Sequence, residues 1–202
     1  MKNPLIKVAA WLLLSSISFA EQPFKIGVHT AMPVGDLDEG IAYGAQAELG
    51  ISEKFSIELA ATTGQEAEDI DLFTVIGYPG YMDIESTTFA GSLIFRQPIT
   101  DAISIFVLGG ISFNTFDADG KPTNDVASPD FINPDVDDQI GYHAGGGIEI
   151  QLMENVSLFA EYRHIFTDLD ATIAYEDTIT QTRTMSESMD YGLAKIGLNI
   201  SF

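Results

Sequence analysis

The chain contains no cysteine, so no disulfide can staple it in an oxidising compartment. Basic residues are scarce, with nine Lys and Arg against 30 Asp and Glu and a net charge of −21 at pH 7. Lys2 and Lys7 account for two of the nine, and every carboxylate lies beyond residue 20. Residues 21–202 therefore carry 7 − 30 = −23. Such a surface repels phosphate backbones, which excludes nucleic acid as a partner. Long hydrophobic runs are also lacking: past the first twenty residues, nothing approaches the ~18 apolar residues that a membrane-crossing helix needs.

What is present begins with an export signal. Lys2 and Lys7 precede the apolar stretch Val8–Leu14, and Ser15–Ala20 supplies a small-residue tail with Ser18 and Ala20 at the −3 and −1 positions. Residues 1–20 read as a signal peptide cleaved after Ala20, and residues 21–202 as one domain.

That domain reads as short alternating segments separated by turn residues, the all-β pattern. Its last segment, Tyr191–Phe202, places Phe202, Ile200, Leu198, Ile196, Ala194 and Gly192 on one face. Ser201, Asn199, Gly197, Lys195 and Leu193 take the other, a period of two. Seven more segments share this pattern: Phe24–Ala31, Ile41–Ile51, Phe55–Thr63, Thr87–Arg96, Ile103–Phe113, Gln139–Leu152 and Val156–Phe166. In the fifth, Phe106 and Leu108 fall out of phase. Most of these strands have the ~9–11 residues needed to cross a bilayer at a tilt.

The connections alternate in length. Ser52–Lys54, Gln97–Ala102 and Met153–Asn155 are tight, whereas Met32–Gly40, Gly64–Ser86, Asn114–Asp138 and Thr167–Ser186 read as long loops. Phe24, Phe55, Phe95 and Phe202 fall at one end of their strands, and Tyr43, Phe89, Phe113, Tyr142 and Phe166 at the other. Two aromatic girdles are the expectation at two membrane interfaces. The expected fold is all-β, an eight-stranded antiparallel up-and-down transmembrane barrel. A soluble lipocalin-like barrel competes, but its apolar face would point inward.

The segment Gly145–His164, GGGIEIQLMENVSLFAEYRH, resembles the penultimate hairpin of the small OmpA-like outer-membrane barrels, in its Gly-rich strand, Asn-containing turn and EYR sequence. The terminal Phe202 resembles the C-terminal signature of that family, which the barrel-assembly machinery reads. The resemblance implies residence in the outer membrane of a Gram-negative cell, among lipid and lipopolysaccharide. The peptidoglycan-binding domain of larger OmpA proteins has no counterpart here.

Among residues that could carry chemistry, eight charges fall on the inward phase: Lys25, Glu48, Glu58, Arg96, Glu149, Glu161, Arg163 and Lys195. An eight-stranded barrel is only wide enough for side chains to fill it, and buried charges come paired. A salt-bridged lumen is expected, with a narrow porin-like channel for small solutes as the alternative. Most carboxylates lie in the long connections, where Asp117–Gly120 and Asp135–Asp138 look like fragments of calcium loops. Neither has the spacing of an EF-hand. No cofactor is expected, beyond weak binding of Ca²⁺ or Mg²⁺ by acidic loops or bridging to lipopolysaccharide. His29 and His143 fall on the inward phase and His164 on the lipid-facing one. Lipid A deacylase barrels place a Ser two residues from a His, but here that position holds Phe166, so a lipid-modifying enzyme is disfavoured. The expectation is a non-enzymatic outer-membrane protein, with a structural role or a surface or host ligand for its acidic loops.

Overall fold

The computed structural model describes residues 24–37, 40–71, 80–122, 131–176 and 180–202. The expected signal peptide lies outside them. The strands in chain order are β1 (Phe24–Gly35), β2 (Ala42–Gly50), β3 (Phe55–Asp71), β4 (Gly80–Pro98), β5 (Ile103–Pro122), β6 (Phe131–Val136), β7 (Gln139–Met153), β8 (Val156–Glu176) and β9 (Thr180–Ser201). All pair antiparallel in the order β6-β8-β7-β5-β4-β3-β2-β1-β9, and β8 also pairs with β9, which closes the sheet.

The short β6 does not make a ninth stave. β7 pairs with β8 up to Tyr142↔Phe166, and β6 resumes on the same edge of β8 from Val136↔Ala171. Asp137 and Asp138 mark the break, where the Asp137 N–H donates to the Asp170 carbonyl at 2.9 Å. The fold is a closed eight-stranded barrel. Its seam runs from Lys25↔Ser201 to Gly35↔Tyr191. The Phe202 N–H donates to the Phe24 carbonyl at 2.9 Å, and their rings sit 6.3 Å apart.

In the lower half the side chains obey the alternation. Ile26, Leu59, Leu93, Val107, Ile111, Ile148, Leu198 and Ile200 are exposed on the outside, while Glu48, Ser56, Glu58, Ser92, Ser157 and Asn199 are buried within. From Ile103 to Phe113 this outward belt is about 25 Å tall after the usual tilt, the height of a bilayer's hydrocarbon core. The two tight turns after β2 and β4 use one device. Ser52 Oγ accepts from the Phe55 N–H at 3.2 Å, and Thr100 Oγ1 from the Ile103 N–H at 3.1 Å.

Small residues let aromatic rings lie flat inside this narrow wall. A Cβ on Gly197 would come within 2.6 Å of the Phe159 ring, and one on Gly147 within 2.6 Å of Phe106. Phe106 and Leu108, out of phase in the sequence, are inward and pack with Ile94.

The upper half corrects the expectation of long loops. Most of Gly64–Ser86, Asn114–Asp138 and Thr167–Ser186 is strand: β3 continues to Asp71, β4 begins at Gly80, β5 reaches Pro122, and β8 and β9 run to Glu176 and from Thr180. The first connection, expected over Met32–Gly40, is shortened too, because β1 continues to Gly35. The physical reason is an inversion of pattern. On β8, Leu158, Ala160, Tyr162 and Phe166 point outward in the belt. Higher up, Leu169, Ala171 and Ile173 are buried inward and Asp168 is exposed. In lipid the apolar face turns outward; above it, in water, the apolar face turns inward.

The result is a tower with its own hydrophobic core. Ala67, Met82, Ile84 and Phe116 from β3–β4–β5 meet Val136, Leu169, Ala171, Ile173 and Met189 from β6–β8–β9. Two three-stranded leaves thus face each other, with Leu37 of the β1–β2 loop buried against them. Among the described residues, β3 has no ladder partner beyond Thr63 on its β2 side, and β5 none beyond Asn114 on its β7 side.

Candidate functional site: a filled lumen beneath an acidic tower

Period-two folding places all eight sequence-identified charges inside the lower barrel, where they form two groups of two acids and two bases. In the lower group Arg96 binds Glu48 in a fork, Nη1–Oε1 at 2.6 Å and Nη2–Oε2 at 3.1 Å. Its Nη2 also reaches Glu149 at 3.0 Å, and Lys25 Nζ meets both oxygens of Glu149 at 2.8 and 3.0 Å. Ser56 donates to Glu48 at 2.7 Å and Ser157 to Glu149 at 2.5 Å. In the upper group Arg163 Nη2 lies 2.7 Å from Glu58 and 2.8 Å from Glu161, and Lys195 lies 3.4 Å from Glu161. Ser92 donates to Glu58 at 3.1 Å.

Each group sums to zero charge, which is what a low-dielectric interior requires. Glu48 and Glu58 are direct cross-strand neighbours. Their repulsion is relieved because one turns to Arg96 and the other to Arg163. Lys25 stands opposite Glu48 in the ladder yet binds Glu149 across the lumen.

The histidines join this packing. His29 Nε2 is 3.0 Å from Thr62 Oγ1, and His143 Nε2 is 3.0 Å from Ser92 Oγ. Both rings are buried, so the Ser92–His143 contact has no access for a substrate. His164 sits on the outer wall with its ring against Phe166, 4.4 Å between centroids.

Sequence reasoning missed the next two layers. Tyr191 OH is 2.8 Å from Thr88 Oγ1 and donates to Asn114 Oδ1 at 3.1 Å, and Thr88 donates to Gln65 at 3.2 Å. Above this polar belt lies the tower core. Its signal was visible as Leu169, Ala171 and Ile173 alternating on the phase of Glu161 and Arg163.

Outside, the tower is acidic. Glu66, Glu85 and Asp117 lie side by side on three adjacent strands, and Asp83 faces Asp119 on two of them. Asp117 and Asp119 point outward from β5 with Ala118 between them, so the Asp117–Gly120 fragment is a strand and not a calcium loop. Asp135 likewise belongs to β6. Among the described residues, no group of three or more His, Asp or Glu is arranged to hold a metal ion.

A closed barrel with an apolar belt, aromatic ends and a filled lumen defines a membrane-spanning β-barrel of the outer-membrane class. Residues 9–202 match the family described as outer membrane protein beta-barrel domain, and the chain belongs to it. Similar solved structures include the outer membrane protein OprG from Pseudomonas aeruginosa (17% identity, TM-score 0.68, covering 90% of this chain and 96% of that one). A major outer membrane protein from Thermus thermophilus follows the same fold (14%, TM-score 0.62, 90% and 100%). So does the N-terminal β-barrel domain of Pseudomonas aeruginosa OprF (10%, TM-score 0.53, 90% and 100%). No curated protein matches the chain. The protein resides in the outer membrane, and its belt contacts lipid.

Proposed function

We propose that this is a non-enzymatic outer-membrane barrel whose working part is the acidic tower, serving a structural or surface-interaction role. The observation that carries this reading is the stacking of three filled layers in the lumen beneath a carboxylate-rich exterior. Chemistry and cargo have no room inside, whereas the tower presents carboxylates to the outside. In this reading residues 1–20 direct export and are removed after Ala20, and Phe202 is the residue the barrel-assembly machinery reads. No cofactor is needed; Ca²⁺ or Mg²⁺ would act as a counterion between tower carboxylates and lipopolysaccharide phosphates.

The test compares cells carrying the full barrel with cells carrying Glu85→Gln, Asp117→Asn and Asp119→Asn together. Loss of adhesion to a cationic surface, or raised sensitivity to detergent, is expected at equal amounts of folded barrel. Unchanged cells in both assays would remove the surface role.

A narrow channel is the second reading. Its support is that several buried polar atoms, among them Arg96 Nε, Arg163 Nη1, His29 Nδ1 and His143 Nδ1, have no hydrogen-bond partner among the described residues, and water would satisfy them. Planar-bilayer recordings separate the two readings.

A further inference from the structure

The chain completes one edge of its tower and leaves the opposite one bare. Where β7 ends, β6 takes over the same edge of β8, from Val136↔Ala171 to Phe131↔Glu176. Among the described residues no segment does the same for β9. β1 ends against it at Gly35↔Tyr191 and β2 begins only at Ala42, yet β9 extends above this level to Thr180 and β3 to Asp71. β3 and β9 do not pair with each other. An opening two staves wide at its foot therefore separates them, and the β9 edge above Asp190 has no ladder partner among the described residues.

One contact fixes which backbone groups face this opening. The Asp190 N–H donates to Asp36 Oδ2 at 2.8 Å, and the Asp190 carbonyl accepts from the Asp36 N–H at 3.4 Å, so both point to the β1 side. Residues two apart in an antiparallel strand repeat that orientation. Ser188, Ser186, Thr184, Thr182 and Thr180 thus aim an N–H and a carbonyl into the opening, rung after rung, in water above the belt. Residues 180–189 contain no proline, and the β8–β9 ladder runs through them without a register shift. Two common devices that blunt a sheet edge are therefore missing from this one.

The side chains beside the edge choose its occupant. Thr182, Thr184, Ser186 and Ser188 are short and exposed. Exposed Asp168 stands behind Ser188 on β8, and exposed Asp36 and Asp190 stand at the foot of the opening. A lysine on an added strand reaches over a serine to Asp168, whereas a carboxylate there is repelled. A second copy of the chain would bring a second acidic tower to the same place.

We propose that this β9 edge is a strand-addition site for an extended, lysine-containing segment of another protein, paired antiparallel to β9 as a continuation of β1. Backbone hydrogen bonds supply the affinity and the alternating lysines supply the preference. The site goes beyond the surface role proposed above, because Glu85, Asp117 and Asp119 lie on β4 and β5 and take no part in it.

A synthetic decapeptide alternating lysine with threonine, titrated calorimetrically onto the full barrel in detergent micelles, tests this. One peptide should bind per barrel, with hydrogen exchange slowed at the amides of Thr182, Thr184, Ser186 and Ser188. Methylating the peptide's backbone nitrogens keeps its charge, removes its donors and should weaken binding about tenfold or more. Glutamate in place of lysine should abolish it. Thr184→Pro deletes an edge-facing N–H, leaves the β8 ladder intact and should weaken binding as methylation does. Asp168→Asn with Asp190→Asn should weaken it about threefold. Heat-modifiable gel migration shows that each variant is folded, and the methylated peptide decides the point on the unaltered barrel if Thr184→Pro is not. The variant carrying Glu85→Gln, Asp117→Asn and Asp119→Asn should still slow exchange along β9, which separates failure here from failure of the surface role. No binding, undiminished binding of the methylated or glutamate peptide, binding unchanged in folded Thr184→Pro, exchange slowed away from β9, or self-association through this edge would each overturn the proposal.

Discussion

Arg163 is 1% exposed and holds Glu58 and Glu161 at once. Removing one member of a buried charged set leaves the others uncompensated, at about 3–5 kcal/mol. Arg163→Met should therefore lower barrel stability by that amount, measured by urea unfolding in phospholipid vesicles. Adding Glu58→Gln alone should restore a large part, since it leaves Glu161 and Lys195 as a neutral pair. Gly197 offers a second residue-level test: its Cβ would come within 2.3 Å of the Val28 carbonyl and 2.6 Å of the Phe159 ring. Gly197→Ala should cost about 1–3 kcal/mol in the same assay, as overpacking does elsewhere. At this scale the inward positions of all eight charges were legible, because period two assigns a face without further information. Their partners were not. Lys25 lies beside Glu48 along the wall and binds Glu149 across the lumen, a choice set by the diameter of the closed barrel.

Strands were legible wherever one face stayed apolar from end to end, and their upper ends were lost where that face changed sides. β5 shows the change compactly. Ile111, Phe113, Asp117 and Asp119 share one outward phase, yet the first two face lipid and the last two face water. A reading that demands one greasy face ends the strand at Phe113 and assigns the rest to a loop. The inversion makes a paired prediction on a single face of a single strand. Ile111→Arg should cost about 1–3 kcal/mol, since Ile111 lies between the bilayer midplane, where a cation costs about 2–4 kcal/mol, and the upper interface, where it costs about 0–1. Asp117→Arg, three outward positions higher, should be neutral or mildly stabilising, because it relieves the row with Glu85 and Glu66. Urea unfolding in vesicles reads both. Equal destabilisation would place Asp117 inside the membrane and erase the tower.

For the whole molecule, eightfold closure followed from strand count and alternating connection length, whereas the two-leaf tower did not. Which strands share a leaf depends on where ladders stop, and β2 stops at Ala42 while β3 continues to Asp71. The filled layers therefore act in series: two charge groups, then the belt of Gln65, Thr88, Asn114 and Tyr191, then the apolar tower core. A path for ions needs every layer open at once, since dry apolar packing above blocks water admitted below. Opening the upper charge group alone, with Arg163→Ala, Glu58→Ala and Glu161→Ala, should leave planar-bilayer conductance at background. Adding Tyr191→Ala and Leu193→Ala empties two more levels along β9 but leaves Met82, Ile84, Leu169 and Ile173 packed above, so conductance should still stay at background. Steady openings from the unaltered protein would show that the layers are not stacked as one seal. They would shift the function from the outer surface of the tower to the lumen.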